Sequence, residues 1–369
     1  MSTPGALHFF PLTVRDVQTA ADDALCVSFD VPADHAGLFD FIPGQHLTLR
    51  HVQAGLQAGL QAGQDLRRSY SICSGPGEAL SVGVRRVPGG VFSSWLHQQV
   101  RPGQVLDVMP PLGQFGAAAT PRAPGTRHLL GIAGGSGITP ILSMLKTTLA
   151  QQPASRFTLL YGNRTLASTM FKETLEDLKN QHLGRLAVHW VFSREGVDSP
   201  LHSGRLNRHK ISEFLPLMAA VDEAFVCGPH ALNDEAETAL LAAGLTTAQI
   251  HIERFGIAPA QAMHEVLPAL GAQHAQHARL RIVRDGSTRE LAFLPTDSSI
   301  LDATARAGLE VPYSCKSGVC ATCKAKLITG HVHMARNFAL SADDVAAGFV
   351  LTCQARPLTA EVMLSFDER

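Results

Sequence analysis

The sequence predicts three domains in succession: a small antiparallel β-barrel, a doubly wound α/β domain with a parallel sheet, and a compact α+β domain. Three observations carry this. Short runs of β-forming residues recur between Gly, Pro and Asp breaks over residues 7–87, as in a barrel of short strands. From about residue 126 strands and helices alternate, with a glycine turn between the first strand and the first helix, the pattern of a parallel sheet. From Arg279 a hairpin signal, one helix and a cysteine-bearing loop follow one another.

A chain of 369 residues is long enough for two or three cores. The boundaries drawn are 1–122, 123–256, a linker over 257–278 rich in Ala, Gln, His and Pro, and 279–369. The formal net charge is −1, which gives no reason to expect nucleic acid or an anionic membrane as partner. No apolar run reaches the length of a membrane span. The N-terminus lacks the charged and apolar regions of a signal peptide. Cys26, Cys73 and Cys227 are single and far apart in sequence, unlike a disulfide framework, so a reducing compartment, the cytoplasm, is expected.

In the first domain, strands are expected at 7–14, 24–31, 44–52, 66–73 and 79–87. Residues 54–63 repeat Ala-Gly-Leu-Gln and read as a surface loop. Arg68-Ser69-Tyr70-Ser71 is the first stretch with chemistry. On a strand, Arg68 and Tyr70 share a face and Ser69 and Ser71 share the other. A guanidinium pairs with a pyrophosphate, and a Tyr ring stacks on a flat heterocycle. The second stretch is Gly89-Gly90-Val91-Phe92-Ser93-Ser94, glycines leading into a helix. Free N–H groups at a helix start suit phosphate, and Gly90 removes a blocking side chain. Alone, the first reads equally well as an exposed strand and the second as an ordinary N-cap. Together they point to a flavin diphosphate.

In the second domain, an apolar strand over Thr126–Ala133 runs into Gly134-Gly135-Ser136-Gly137-Ile138-Thr139-Pro140. Pro140 suits a first helical turn, and Ile141, Leu142, Leu145 and Leu149 form an apolar stripe. Strand, glycine turn and helix make a phosphate cradle, with Gly135, Gly137 and Thr139 as its candidates. Further strands are expected at 156–161, 186–192 and 223–227, and helices near 170–180, 208–219 and 229–243. Ligands of such sheets sit at the C-terminal strand ends. Three ends stand out: Tyr161-Gly162-Asn163-Arg164, Phe192-Ser193-Arg194 and Cys227-Gly228-Pro229. Arg164 and Arg194 each read as a phosphate ligand or as a solvated loop charge. Arg194, with Ser193 beside it, is the choice for an adenosine 2′-phosphate and so for NADPH over NADH. Cys227 reads either as a small buried residue or as one wall of a nicotinamide pocket. An edge strand over 250–256 closes the domain, with Glu253 and Phe255 on one face. Phe255 reads as a flavin cover or as core.

The histidines of the linker, His264, His274 and His277, have no cysteine or carboxylate cluster beside them and read as linker. In the last domain, strands at 279–284 and 287–294 flank Asp285-Gly286, a hairpin signal. A helix over 298–307 is expected to be capped by Asp297 or Ser298. Strands are expected at 324–329 and through Phe349–Cys353. Between helix and strand lie Cys315, Cys320 and Cys323, spaced C-x4-C-x2-C, with Cys353 thirty residues on. This is the ligand pattern of a plant-type 2Fe–2S cluster. A zinc ribbon would show two C-x2-C knuckles.

Flavin site, nucleotide domain and plant-type ferredoxin, in that order, resemble the ferredoxin–NADP⁺ reductase superfamily fused to a C-terminal β-grasp ferredoxin. Arg68-x-Tyr70-Ser71 and Gly90-x-x-Ser93 match its FAD motifs. Gly135-Ser136-Gly137-Ile138-Thr139-Pro140 and Cys227-Gly228 match its nucleotide motifs. Within the superfamily the chain is similar to the reductase components of phenylacetyl-CoA 1,2-epoxidases. That similarity rests on Phe41–Leu49, Tyr161–Thr165, Ile250–Phe255, Gly318–Lys324 and Leu340–Pro357. The resemblance implies FAD, NADPH and a 2Fe–2S cluster, and electron flow from NADPH through FAD and the cluster to a di-iron oxygenase. Nicotinamide moves electrons in pairs, the cluster moves one, and a flavin does both. No catalytic triad is expected. Tyr70, Cys227 and Glu253 are the candidates beside the reacting rings. Two alternatives stay open: another acceptor (an oxygenase, a desaturase or a hybrid-cluster protein), or a non-catalytic flavin- or zinc-binding redox sensor.

Overall fold

Alternating apolar residues build the first sheet. The computed structural model describes residues 8–52, 65–120, 125–256 and 277–368. It divides into two units: Met1–Phe10 with Arg67–Ser69 and Gly256–Arg369, and Pro11–Leu66 with Tyr70–Phe255. The repeat at 54–63, the 122/123 boundary, and the linker with His264 and His274 lie outside the described residues.

Six strands, β1 (Phe10–Ala21), β2 (Ala24–Asp30), β3 (His46–Val52), β4 (Asp65–Ser71), β5 (Ser81–Arg85) and β6 (Val105–Leu112), lie in the order β4-β3-β6-β1-β2-β5. The pairs β1–β2, β2–β5 and β3–β6 are antiparallel. A bridge from Ile72 to Val82 joins the end of β4 to β5 and turns the sheet back on itself. Leu12, Val27, Leu47, Leu49, Val82 and Val108 are fully buried. β1 is longer than the expected 7–14. Register shifts at Val14/Asp16 and Thr19/Ala21 break its alternation, so its polar second half lacks the two-residue period. β6 has no counterpart among the expected strands, because Pro110-Pro111 in a run argues against one. The prolines fall at the register shift between the Met109–Thr48 and Leu112–His46 pairs, where the ladder with β3 is interrupted.

His46, at the start of β3, is buried, and its Nε2 has no hydrogen-bond partner. Burial lowers its pKa to about 4. The unfolded chain, with an imidazole near 6.5, therefore binds the proton first. Stability is full above about pH 6.5 and falls as the pH drops toward 4, at up to about 1.4 kcal/mol per pH unit. Urea midpoints taken between pH 7 and 4.5 should show that slope, and His46→Phe should flatten it. An equal slope in both proteins would assign the acid sensitivity to other groups.

The second sheet is parallel throughout. It holds β7 (His128–Gly134), β8 (Arg156–Asn163), β9 (Leu186–Phe192), β10 (Glu223–Cys227) and β11 (Ile250–Glu253) in the order β11-β10-β7-β8-β9. Successive strand residues point to opposite faces. Leu129, Phe157, Leu159 and Tyr161 pack with α2 (Ile138–Gln151) and α3 (Lys172–Gln181), a cluster that also takes Ala24, Cys73 and Phe115 of the barrel. Leu130, Ile132, Leu160 and Val191 pack on the other face with α4 (Arg208–Phe214) and α5 (His230–Ala242). The strand order reverses between β7 and β10, which is where a doubly wound sheet opens its ligand crevice.

The third sheet is mixed. β12 (Arg279–Arg284) pairs antiparallel with β13 (Ser287–Ala292) and parallel with a late strand, Glu361–Ser365, which also pairs with β14 (Lys324–Thr329). β14 in turn pairs with a short strand over Phe349–Leu351, and a two-stranded ribbon joins Val332–Met334 to Ala355–Pro357. The helix, α6 (Ile300–Arg306), is capped by Ser299, whose hydroxyl accepts from Asp302 N–H at 3.2 Å. The expected caps do other work. Asp297 accepts from Arg306 and from Leu294 N–H, and Ser298 donates to Asp302.

Candidate functional site

Of the expected flavin residues, Tyr70, Gly90, Val91 and Ser93 come together at the start of α1 (Val91–Gln99). Tyr70 is half-buried, with its ring centroid 6.1 Å from that of Phe92, in the first turn of this helix. Gly90 is the N-cap residue. Ser93 Oγ accepts from Val87 N–H at 3.1 Å and donates to Gly90 O at 3.4 Å, tying the glycine turn to the helix. A Cβ on Gly90 would lie 2.9 Å from both Ser93 Oγ and Val87 Cβ. The first N–H groups of a helix have no partner within it, so this turn presents donors, at Val91 among others, with no side chain at Gly90 in the way. Trp95, one turn on, stacks on His51 at 3.9 Å. Ser71 is buried, and Arg68 is exposed, its guanidinium donating to Arg67 O at 2.7 Å. Phe255 follows β11 with 47% of its surface exposed.

The nucleotide crevice is formed by backbone meeting backbone. A Cβ on Gly137 would fall 1.9 Å from Cys227 O, and one on Gly228 would fall 3.1 Å from Gly134 Cα. Only glycine lets the turn after β7 and the end of β10 close on each other. Gly135 has φ +55° and open space around it; the nearest atom to a Cβ there would be Arg85 Nη1 at 4.0 Å. The turn is braced from below by Tyr161, whose hydroxyl donates to Gly135 O at 3.0 Å, and by Thr139, which donates to Ser136 O at 3.0 Å. Cys227 is fully buried and faces Glu253 in register across β10 and β11. Burial, and then the nearby Glu253 carboxylate, push its thiol well up, so it stays neutral. Both features suit a wall beside an uncharged ring better than a nucleophile.

Two loops at the ends of β8 and β9 are stitched together. Ser193 N–H and Oγ both donate to Asn163 O, at 2.9 and 3.2 Å, and Arg194 N–H donates to Arg164 O at 2.8 Å. This sets the exposed Arg164 and Arg194 side by side. The Ser193 hydroxyl is spent on holding the loop.

The cluster loop presents its four thiols as two pairs. Cys315 lies next to Cys320, and Cys323 next to Cys353. Among the described residues no three His, Cys, Asp or Glu side chains converge tightly enough for a single ion. Two thiol pairs within electrostatic reach of each other, Cys320 acting on Cys323 and Cys315 on Cys353, suit two bridged irons. Donors also aim at the sulfurs. Ser317 N–H reaches Cys315 Sγ at 3.4 Å, Thr322 Oγ1 reaches Cys320 Sγ at 3.2 Å, and Gln354 Nε2 reaches Cys353 Sγ at 3.6 Å. The neighbouring Cys320, then the donors of Ser317 and Val319, lower the Cys315 pKa, while the same pairing and burial raise that of Cys320. Lys316, Gly318 and Ala321 take positive φ to turn these N–H groups inward. Donors that reach the sulfurs of both pairs in this way fit a cluster-holding loop.

Three residues of the structure have no distinguishing mark in the sequence. Arg85, on β5, donates to Ser168 O at 2.6 Å and lies beside the Gly135 cradle. Arg67 is the buried guanidinium of its strand, 4% exposed. It pairs with Glu310 at 3.1 Å and lies 4.2 Å over the Tyr313 ring. Ser314, next to Cys315, accepts from Ser69 Oγ at 2.8 Å. Nothing in a run such as Arg67-Arg68 or Arg85-Arg86 tells which guanidinium turns inward.

Comparison with known proteins agrees with this arrangement. Residues 11–116 match the oxidoreductase FAD-binding domain family, 132–238 the oxidoreductase NAD-binding domain family, and 282–358 the 2Fe-2S iron-sulfur cluster binding domain family. The chain is 43% identical over 366 residues to a component of the 1,2-phenylacetyl-CoA epoxidase of Escherichia coli K12, covering 98% of each. It is 32% identical over 363 residues to the ferredoxin reductase component of 3-ketosteroid-9-alpha-monooxygenase from Rhodococcus rhodochrous, covering 96% of each. Its fold matches that of phthalate dioxygenase reductase with a TM-score of 0.58 at 24% identity, over 97% of this chain and 98% of that one.

Proposed function

The chain belongs to the ferredoxin–NADP⁺ reductase superfamily members that carry FAD-binding, NAD-binding and 2Fe-2S domains in one polypeptide, and from that premise we propose that it passes electrons from NADPH to the di-iron oxygenase of a phenylacetyl-CoA epoxidase. The observation that carries this reading is the full-length identity of 43% to a component of such an epoxidase. A ketosteroid monooxygenase reductase at 32% keeps a second oxygenase in view as acceptor. The chain is an oxidoreductase, so the sensor alternative falls. Among the described residues no helix is long and apolar enough to cross a membrane, and the reading places the protein in the cytoplasm.

Bound flavin and cluster would supply the redox chemistry, converting paired electrons into single ones. The chain's own residues bind and orient. Tyr70 and the α1 turn at Gly90, Val91 and Ser93 hold the flavin, with Arg68, Ser69 and Ser71 along the same strand and Phe255 as cover. Gly135, Gly137 and Thr139 take the dinucleotide phosphates. Cys227 and Gly228 border the nicotinamide, and Glu253 lies opposite Cys227. Cys315 with Cys320, and Cys323 with Cys353, hold the irons. Arg194 takes the 2′-phosphate, with Arg164 beside it on a phosphate, in a chain divided as 1–122, 123–256 and 279–369.

Anaerobic titration of the purified protein tests the chain of carriers. Flavin and iron–sulfur absorbance should both bleach, at lower NADPH than NADH. Flavin bleaching with no iron–sulfur band, and zinc on metal analysis, would remove the last carrier. For the nucleotide choice, Arg194→Ala should raise the KM for NADPH about tenfold, the value of one charged hydrogen bond, and leave that for NADH unchanged. An equal rise for both would move the 2′-phosphate elsewhere.

A further inference from the structure

Two thiols outside the cluster and the nucleotide crevice face each other. Cys26, on β2, and Cys73, just past β4, bring their sulfurs to 3.8 Å. Both flank β5: Cys26 lies opposite Gly83 in the β2–β5 ladder, and Cys73 N–H donates to Ser81 O at 2.9 Å. Cys73 is 2% exposed, whereas Cys26 is half-buried. Both line a cavity of about 660 Å³ that opens to solvent, with Lys146, Glu78 and Phe171 in its wall. The neighbouring Cys73 lowers the Cys26 thiol, against burial and helped by Lys146, while the same pairing and burial raise that of Cys73. A partly exposed thiol beside a cation is the one an oxidant reaches. Cys227, fully buried with Glu253 nearby, has neither property.

The pair sits where the barrel packs on the nucleotide domain. Ala24, Cys73 and the partly buried Cys26 belong to the apolar cluster built around α2. A Cβ on Gly83 would fall 2.3 Å from Thr139 Cγ2, so β5 lies directly on the start of α2. Ser143 Oγ donates to Ser74 O at 2.8 Å, and Lys146 pairs with Glu78 at 2.7 Å. These bonds fasten the chain after Cys73 to the helix whose first turn carries the phosphate cradle. Cys73 also lies three residues past Tyr70 of the flavin site. A disulfide holds its sulfurs about 2.05 Å apart, roughly 1.7 Å closer than these two thiols stand. Side-chain rotation supplies part of that approach and the backbone supplies the rest. A close-packed interior transmits such a shift to its neighbours.

We propose that Cys26 and Cys73 form a reversible disulfide with hydrogen peroxide as oxidant, and that this bond slows electron transfer from NADPH to the flavin. The Cys26 thiol is oxidised to a sulfenic acid as peroxide is reduced to water. The Cys73 sulfur then attacks the Cys26 sulfur. The S–S bond forms as the S–O bond breaks, and the hydroxyl leaves with the Cys73 proton as a second water. An added dithiol restores both thiols and is itself oxidised to its disulfide. The disulfide goes beyond the function given above; its effect on rate rests on the flavin and nucleotide sites placed there.

The test uses the holoenzyme, desalted after brief exposure to hydrogen peroxide, beside Cys26→Ser and Cys73→Ala. Untreated, both variants should match wild type in flavin and cluster absorbance and in the anaerobic rate of flavin bleaching by NADPH. That rate is read because it precedes the cluster, so oxidation at the cluster does not enter. After free thiols are alkylated, trypsin without reductant should release Asp16–Arg50 joined to Ser69–Arg85 from the treated wild type. The joined peptides should be two hydrogens lighter than their sum. The bleaching rate should fall on the order of tenfold and return with dithiothreitol. Neither variant should show the joined peptides or the fall, and if one variant does not fold the other completes the comparison. Treated wild type without joined peptides would overturn the pair. Joined peptides with an unchanged rate would overturn its control of electron transfer, as would an equal fall in wild type and Cys26→Ser. If NADPH does not bleach the untreated wild-type flavin, the function above falls with the control placed on it, and the joined peptides alone decide the disulfide.

Discussion

Cys323→Ser should abolish electron transfer to cytochrome c and to the oxygenase while NADPH oxidation by ferricyanide, which takes electrons from the flavin, continues. Cys323 is 2% exposed and lies next to Cys353. Its place is fixed from both sides: Thr352 donates to Cys323 O through N–H and Oγ1, each at 3.1 Å. Serine would keep that backbone position but offer a hard, protonated hydroxyl where a soft thiolate is needed. Losing an outer partner of a metal site costs roughly 10–100-fold, and losing a ligand from one of two pairs should exceed that. The checks are iron content, the visible spectrum, and the two rates side by side. Loss of the ferricyanide rate as well would mean that the flavin or nucleotide sites depend on Cys323, contrary to their separate construction.

Legibility followed how local the signal was. The cluster cysteines were readable because four ligands must fall on one loop and one nearby strand end, so spacing alone records them. The glycine turn at 134–137 was readable for the same reason. The strand at 324–329 was visible because clear breaks frame it, and the edge strand expected over 250–256 is present but ends at Glu253. β6 was hidden by its terminal prolines, and half of β1 by bulges, since both erase the two-residue period. The helix cap moved from Asp297 or Ser298 to Ser299 because three acceptors in a row compete, and Arg306 captures Asp297 at 2.8 Å. The Arg85 beside the cradle could not be read at all. It reaches the turn from a strand some fifty residues earlier, and only the packing of barrel on sheet, through Ala24 and Phe115, brings them together. The two-pair division of the thiols was likewise a matter of three dimensions.

Gly137→Ala should cripple use of the nucleotide. Gly137 has φ −61°, a backbone alanine adopts freely, and as the N-cap residue alanine is only mildly worse than glycine. The added Cβ, however, would sit 1.9 Å from Cys227 O, 2.4 Å from its carbonyl carbon and 2.9 Å from Gly228 N. All three are backbone atoms, so no side-chain rotation relieves the contact. The turn after β7 must lift from the end of β10 by about 1 Å or more to restore van der Waals distance. Sterics therefore outweigh the capping difference here. Overpacking of this kind costs roughly 1–3 kcal/mol of stability, and a displacement of about 1 Å at a positioning element costs roughly 10²-fold in rate. The expected result is a fall of that order in kcat/KM for NADPH, measured with ferricyanide, together with a lower Tm. The flavin and cluster spectra should be unchanged, since neither set of ligands touches this turn. A variant that keeps wild-type kcat/KM would mean that the β7 turn and the β10 end do not meet in the working enzyme, and the placement of the nicotinamide between them would go with it.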